Sequence, residues 1–301
     1  MITDIIIVNW NSGKLLQQCV DSILQTPNEA VVKNLIIIDN HSSDDSLLMI
    51  QPHPKVTVIR NPQNSGFSKA CNQGFKLASA PFVLLLNPDM QLFEDTLEKS
   101  IAFLEAHADV DIMGCALLDA QQHMTHSCAR FPTPLRFLYQ GLGLCNFFPK
   151  WFTPPLLMFD WDHKDSRYVD QVMGAFMFMR KEIFQKVGYF DERFFVYFEE
   201  LDFSKRLSEL GGKTFFNADI KAIHIGEGTT VTVKAFRLFL YLKSKLHYSK
   251  KHFSTPGYAL VILSTFSVEF IARIILPVVR GRFNDGRQVV IAYFKFMKSL
   301  F

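Results

Sequence analysis

Three unbroken runs of large apolar residues, at 5–8, 35–38 and 82–86, punctuate the first ninety positions, and a short strand-like V-T-V-I occupies 56–59. Such runs suit strands covered on both faces, as in a parallel sheet, rather than strands with one wet face. Segments with apolar residues at helical spacing lie between and after them, near 15–24, 69–77 and 95–105. Alternation of this kind predicts an α/β fold: an open, mostly parallel, Rossmann-like sheet with flanking helices and right-handed crossovers. Ligands of such sheets lie beyond the carboxyl ends of the strands. That is where the conspicuous polar residues fall: Asn9 to Asn11, Asp39 with Asn40, and Asn87 to Asp89.

Four local patterns carry chemistry. N-P-D at 87–89 follows F-V-L-L-L directly, so Asp89 ends a buried strand. A carboxylate there can hold a divalent cation over a diphosphate, although Asn, Pro and Asp also make ordinary turns. In N-S-G-F-S-K-A-C-N-Q-G-F at 64–75, Gly66 and the helix start after it can present backbone N–H groups to an anion. Lys69 can supply charge and Asn72 a hydrogen bond, or the segment is a cap with packing glycines. Neither a P-loop nor a G-x-G-x-x-G fingerprint is present. Glu199, Glu200 and Asp202 then place three carboxylates among Phe194, Phe195, Tyr197, Phe198 and Phe203. Acids against an apolar wall gain proton affinity and can serve as general bases. Finally, H-I-G-E-G at 224–228 offers His224 as an imidazole, structural or metal-binding.

Taken in order, V-N-W-N, I-D-N-H-S-S-D, N-x-G-F-x-x-x-x-N-x-G, L-L-N-P-D, G-x-F-D-E-x-F-F-x-Y-x-E-E-x-D and the late H-x-G resemble the family 2 inverting glycosyltransferases, and within them the rhamnosyltransferase-like branch. The resemblance covers roughly residues 3–230. It implies a GT-A fold and a nucleotide-diphosphate sugar donor, dTDP- or UDP-linked, with rhamnose or another hexose as the sugar. By the same resemblance Val8, Asn9, Trp10 and Asp39 contact the nucleoside, and Asn64, Gly66, Asn72 and Asn87 belong to the donor site. Asp89 and His224 would hold Mg²⁺ or Mn²⁺, with Asn87 standing where the family's D-x-D has its first acid. Glu200 takes the place of the catalytic base, with a side chain longer than the usual Asp, and Glu199 and Asp202 accompany it. The implied acceptor is a hydroxyl of a polysaccharide, lipopolysaccharide or lipid-linked saccharide. Two other readings are a nucleotide-sugar enzyme of another class, which would more naturally carry a basic glycine-rich loop near its start, and a degenerate, non-catalytic scaffold at a membrane.

The charge is unevenly spread. Twelve Lys/Arg and two acids, Glu269 and Asp285, fall in 230–301, giving that stretch +10 and the rest of the chain −7. The expected division is therefore a transferase domain at 1–230 and a basic, apolar helical region at 231–301. Residues 258–279 contain one acid and one base, Glu269 and Arg273, spaced to pair on a helix. Their uncharged part, 258–268, is shorter than the roughly 20 residues a span needs. The expectation is an interfacial helix on an anionic membrane surface. Nucleic acid is not an expected partner, because the bases alternate with large apolar blocks. Residues 131–161, with nine aromatics and five prolines, break any long helix and are expected to face the acceptor. Five cysteines without a C-x-x-C pair suit a reducing compartment. The start of the chain reads as a strand rather than a secretory leader. The cytoplasmic face of a cell membrane is the expected location.

Overall fold

The computed structural model describes residues 1–148, 151–154, 156–226 and 234–299. Contacts group them into two units. The first comprises 1–129, 161–192 and 199–229; the second comprises 130–160, 193–198 and 230–301. The break expected at 230 thus differs from the observed grouping, because two earlier segments pack with the C-terminal helices.

The first unit begins β1 (Thr3–Asn9), α1 (Lys14–Leu24), β2 (Val32–Asp39), β3 (Val56–Arg60), α2 (Phe67–Leu77) and β4 (Phe82–Leu86). β1 pairs in parallel with β2 on one side and β4 on the other, and β3 extends the sheet beyond β2. Every residue of β1 and β4 is buried, as their unbroken apolar runs require. The one acid in β1 is Asp4, which accepts hydrogen bonds from Ser79 N (2.5 Å), Ala80 N (2.7 Å) and Asn34 Nδ2 (2.8 Å). A buried carboxylate needs such donors, so the polar residue is part of the strand's anchorage. α2 lies so close to β1 that a Cβ on Gly74 would overlap Ile6 Cγ2.

The chain continues through β5 (Met90–Leu92), α3 (Thr96–Ala106), β6 (Ile112–Leu118) and β7 (Cys128–Ala129). It passes through the helices α4 (Pro134–Gly141) and α5 (Leu144–Phe147) of the second unit and returns as β8 (Arg167–Val169), β9 (Gln171–Val172) and β10 (Phe176–Arg180). α6 (Ile183–Val187), α7 (Glu199–Glu209) and β11 (Thr214–His224) complete the first unit. The main sheet runs β3-β2-β1-β4-β10-β6-β11-β5. β10 lies antiparallel between β4 and β6, and β5 is antiparallel to β11. A parallel half thus meets a mixed half, the arrangement of a GT-A fold.

In the second unit, α8 (Lys234–His252) is followed by a continuous helix over Thr255–Val279, made of α9 (Thr255–Ser264), one π-helical turn and α10 (Phe270–Val279), and then by α11 (Phe283–Lys298). Thr133 Oγ1 accepts Arg136 N to cap α4, and Pro134 opens that helix, where its missing N–H costs nothing. α4 and α5 are short, and Gly143 separates them at φ +73°; Pro149, Lys150 and Pro155 lie outside the described residues. The long helix extends beyond the uncharged run at both ends. Its 25 residues are apolar and long enough to cross a bilayer, whereas the uncharged run 258–268 alone is not. Glu269 and Arg273 lengthen it without facing outward: Arg273 Nε donates to Glu269 Oε1 (2.9 Å), and Lys245 of α8 donates to Glu269 Oε2.

Candidate active site

The carboxyl ends of β1 and β2 lie in register, Asn9 opposite Asp39. Asn9 Nδ2 donates to Asp39 Oδ1 (2.8 Å) and to Ser46 Oγ (2.9 Å), while Ser42 N donates to Asp39 Oδ2 (3.2 Å). Asn9 therefore aims Asp39, and its own Oδ1 stays buried with no partner. Val8 is buried beside it and Trp10 is half-buried. Asn40, which follows Asp39, holds the next loop: its Nδ2 donates to Asn64 Oδ1 (2.9 Å) and its Oδ1 accepts from Ser65 N (3.0 Å). Asn64 Oδ1 also accepts Gly66 N (3.0 Å). Gly66 enters α2 with φ +90°, a conformation that favours glycine. The sequence places Asn40 among the polar residues at the strand ends, but not among those expected to bind the donor.

Asn72 has a different occupation from the one expected. Its Nδ2 donates to Phe190 O (2.9 Å) and Glu192 Oε1 (3.0 Å), and its Oδ1 accepts Phe190 N (3.0 Å). Both ends of the amide tie α2 to the 190–192 loop, so Asn72 positions that loop. Lys69 is exposed on the first turn of α2.

The N-P-D turn joins β4 to β5. Because β5 pairs with the end of β11, His224 lies opposite Met90, and Ile225 N donates to Asp89 O (3.0 Å). That register brings His224 Nε2 to 3.3 Å from Asp89 Oδ2. Asp89 is 8% exposed and its Oδ1 is buried without a partner. No cluster of three or more metal-type side chains occurs among the described residues, so the protein offers one carboxylate and one imidazole. An orphaned carboxylate oxygen beside an imidazole suits a divalent cation whose other positions come from a diphosphate and water. Glu227 and Gly228, which follow in the H-I-G-E-G stretch, lie outside the described residues.

Asn87 links this turn to the acids. Its N–H donates to Ala175 O (3.0 Å), one residue past Gly174, whose N–H donates to the Glu200 carboxylate. Glu199 and Glu200 open α7 and share a hydrogen bond, with Glu199 as the protonated partner. Burial raises the proton affinity of both, and the adjacent Glu200 charge holds Glu199 well above the ordinary carboxyl value. Glu199 is 2% exposed and Glu200 is half-buried, with an Oε2 that has no partner. Asp202 is wholly buried and pairs with Arg206 Nε (2.9 Å), while Arg206 Nη2 donates to Tyr189 O (2.8 Å). Asp202 thus orders the chain before α7, leaving Glu200 as the one residue of the three that is partly exposed, its unpartnered Oε2 buried.

One consequence concerns stability. A carboxyl whose folded pKa lies above its unfolded value weakens the fold as pH rises past the unfolded value of about 4.3. Gln at 199 keeps an N–H to donate to Glu200 and has no proton to lose. Glu199→Gln is therefore expected to melt near wild type at pH 5 and above it at pH 8. Melting curves at the two pH values check this, and an unchanged gap would show that Glu199 is not held protonated.

Residues 4–188 match the family described as Glycosyl transferase family 2, more than half of the chain, and the chain belongs to that family. A low-salt glycan biosynthesis hexosyltransferase of Haloferax volcanii is 24% identical over 67% of this chain and 60% of its own length. The match thus spans less than two thirds of that relative. An N-acetylglucosaminyl-diphospho-decaprenol L-rhamnosyltransferase of Mycobacterium tuberculosis is 22% identical over 81% of this chain and 82% of its own. The rhamnosyltransferase WbbL of Escherichia coli is 28% identical over 60% and 68%. Among solved structures, the Pyrobaculum calidifontis mannosyltransferase PcManGT, in complex with GDP-Man and Mn²⁺, has a TM-score of 0.54 at 12% identity, covering 98% of this chain and 86% of that one. GalNAc-T7 with UDP, GalNAc and Mn²⁺ has a TM-score of 0.59 at 13% identity, covering 83% of this chain and 48% of that one. At such identities these structures speak for the GT-A fold alone.

Proposed function

We propose that the first unit is an inverting glycosyltransferase domain, moving a sugar from a nucleotide-diphosphate donor to a hydroxyl of a saccharide or lipid-linked saccharide. The carrying observation is the half-buried Glu200, with an unpartnered oxygen, joined through Gly174, Ala175 and Asn87 to the N-P-D turn. Inversion is a single in-line displacement at the anomeric carbon. It needs a group to take the acceptor's proton and a way to hold the leaving diphosphate. Glu200 does the first: the acceptor O–H proton passes to its carboxylate as the oxygen bonds to the sugar, while the anomeric carbon–oxygen bond to the diphosphate breaks. Glu199, protonated, donates to Glu200 and keeps it anionic. Asp39, aimed by Asn9, binds the nucleoside, with Val8 and Trp10 beside it. The 64–66 loop and Asn87 flank the donor, and Asn72 fixes the 190–192 loop.

Asp89 and His224 hold Mg²⁺ or Mn²⁺, which when bound screens the diphosphate and helps it depart. The donor is dTDP- or UDP-linked, with rhamnose first among the candidate sugars. A screen of dTDP-rhamnose, UDP-galactose and UDP-N-acetylglucosamine with Mn²⁺ tests the reading. The expected result is nucleoside diphosphate release from one donor, dependent on metal and stimulated by acceptor. Release from none, with no donor raising the melting temperature, would overturn it.

We further propose that the second unit attaches the protein to the cytoplasmic face of a membrane, lying on it rather than crossing it. Glu269 and Arg273 sit within the long helix and turn inward, while Leu263, Ile271, Ile275 and Val279 form an exposed apolar stripe. Basic residues near an anionic leaflet add roughly 1 kcal/mol each. The chain is expected to co-sediment with anionic vesicles at low salt and to be released in part at high salt. Ile271→Glu with Ile275→Glu should leave most of it in the supernatant. Pelleting by that variant equal to wild type would dismiss the stripe as the contact.

A further inference from the structure

The second unit contains a cleft that plays no part in the chemistry above. It is an open cleft of about 500 Å³, and Leu156, Phe159 and Leu238 contribute apolar wall. Its volume falls in the range of small-ligand sites. Three of its lining side chains are cations, Lys234, Arg237 and Arg273, and no Asp or Glu lines it. The acids behind it do not balance the bases. Glu269 alone serves both Lys245 and Arg273, and Asp285 serves Lys234 at 2.8 Å. Arg237 is half-buried, donates its Nε to Tyr197 Oη (3.2 Å) and has no carboxylate partner among the described residues. Three lining bases thus stand over two acids, one of which, Glu269, is shared with the buried Lys245.

A net positive cleft between apolar walls, with one guanidinium free of any carboxylate, calls for an anion with an apolar remainder. A guanidinium fixed at Nε still presents its outer N–H groups, the geometry that grips phosphoryl oxygens in pairs. A diphosphate, with oxygens on two phosphorus atoms, can meet more of the three lining cations than the single phosphoryl group of a bilayer phosphodiester.

We propose that the Lys234–Arg237–Arg273 cleft binds the diphosphate of a lipid diphosphate, the anchor of the acceptor saccharide. This rests on the lipid-linked form of the acceptor proposed above and gives that acceptor a place on the second unit. The Tyr197 that orients Arg237 stands three residues before Glu200 in the chain.

The test is binding of farnesyl diphosphate to the full chain in mild detergent, with farnesol, inorganic diphosphate and phosphatidylglycerol vesicles as comparators. Farnesyl diphosphate is expected to bind at least tenfold more tightly than farnesol or inorganic diphosphate. Arg237→Gln should weaken it about tenfold, Arg237→Lys less, both with unchanged melting temperature and unchanged donor-nucleotide binding. Equal affinity in Arg237→Gln overturns the assignment. So does inorganic diphosphate binding as tightly as the prenyl compound, or phosphatidylglycerol vesicles displacing it. Turnover separates this from the acceptor reading. If a water-soluble saccharide serves as well as its lipid-linked form, the lipid-linked acceptor falls. If the lipid-linked form is preferred while Arg237→Gln binds farnesyl diphosphate normally, only the cleft assignment falls.

Discussion

Glu200→Gln is expected to lower kcat on the order of 10²-fold or more, the lower bound of what a positioned base typically contributes, and to leave donor affinity nearly intact. Gln is close to isosteric and can still accept the Gly174 N–H through its carbonyl, so the fold around the anomeric carbon is kept while the proton acceptor is lost. Glu199→Gln should retain most turnover, because it reproduces the protonated state of that side chain. The wild-type rate should rise with pH along an acid limb whose midpoint lies above the ordinary carboxyl range, since burial raises Glu200. Glu199→Gln should keep that limb and Glu200→Gln should lose it. A dead Glu199→Gln with an active Glu200→Gln would shift the base by one residue.

Asp89→Ala is expected to remove metal-dependent donor binding. Asp89 is the one carboxylate of the N-P-D turn, and its partner His224 alone is a poor holder of Mg²⁺ or Mn²⁺. Forfeiting about 3 kcal/mol of leaving-group stabilisation corresponds to a rate loss of roughly 10²-fold. Asp89→Asn tests charge apart from shape and should fall close to Asp89→Ala. Titration of donor-dependent melting against Mn²⁺ is the measurement. A variant with wild-type Mn²⁺ dependence and wild-type turnover would remove Asp89 from the site.

The parallel half of the fold was legible because its signal is local. Runs at 5–8, 35–38 and 82–86 are buried on both faces, and helical spacing between them places α1 and α2 within two residues of their observed starts. The mixed half was not, since F-M-F-M at 176–179 carries no information on strand direction, and β5 is three residues long. The pairing of Asp89 with His224 depends on the β5–β11 register, a contact across more than 130 residues that no local pattern encodes. Asn72 illustrates the same limit. Its type and helix position suit a ligand contact, but the 190–192 loop, distant in sequence, takes both ends of its amide. In the C-terminal region, charge counting found the basic excess and the Glu269–Arg273 spacing, and could not show that Lys245 draws the pair inward.

The most direct test of Glu200 acting as base in an inverting transfer is the anomeric configuration of the first-formed product, read by proton NMR with the donor that the screen identifies. The account predicts a single product of configuration opposite to the donor's, formed by wild type and Glu199→Gln and suppressed in Glu200→Gln. A product that retains the donor's configuration would contradict it.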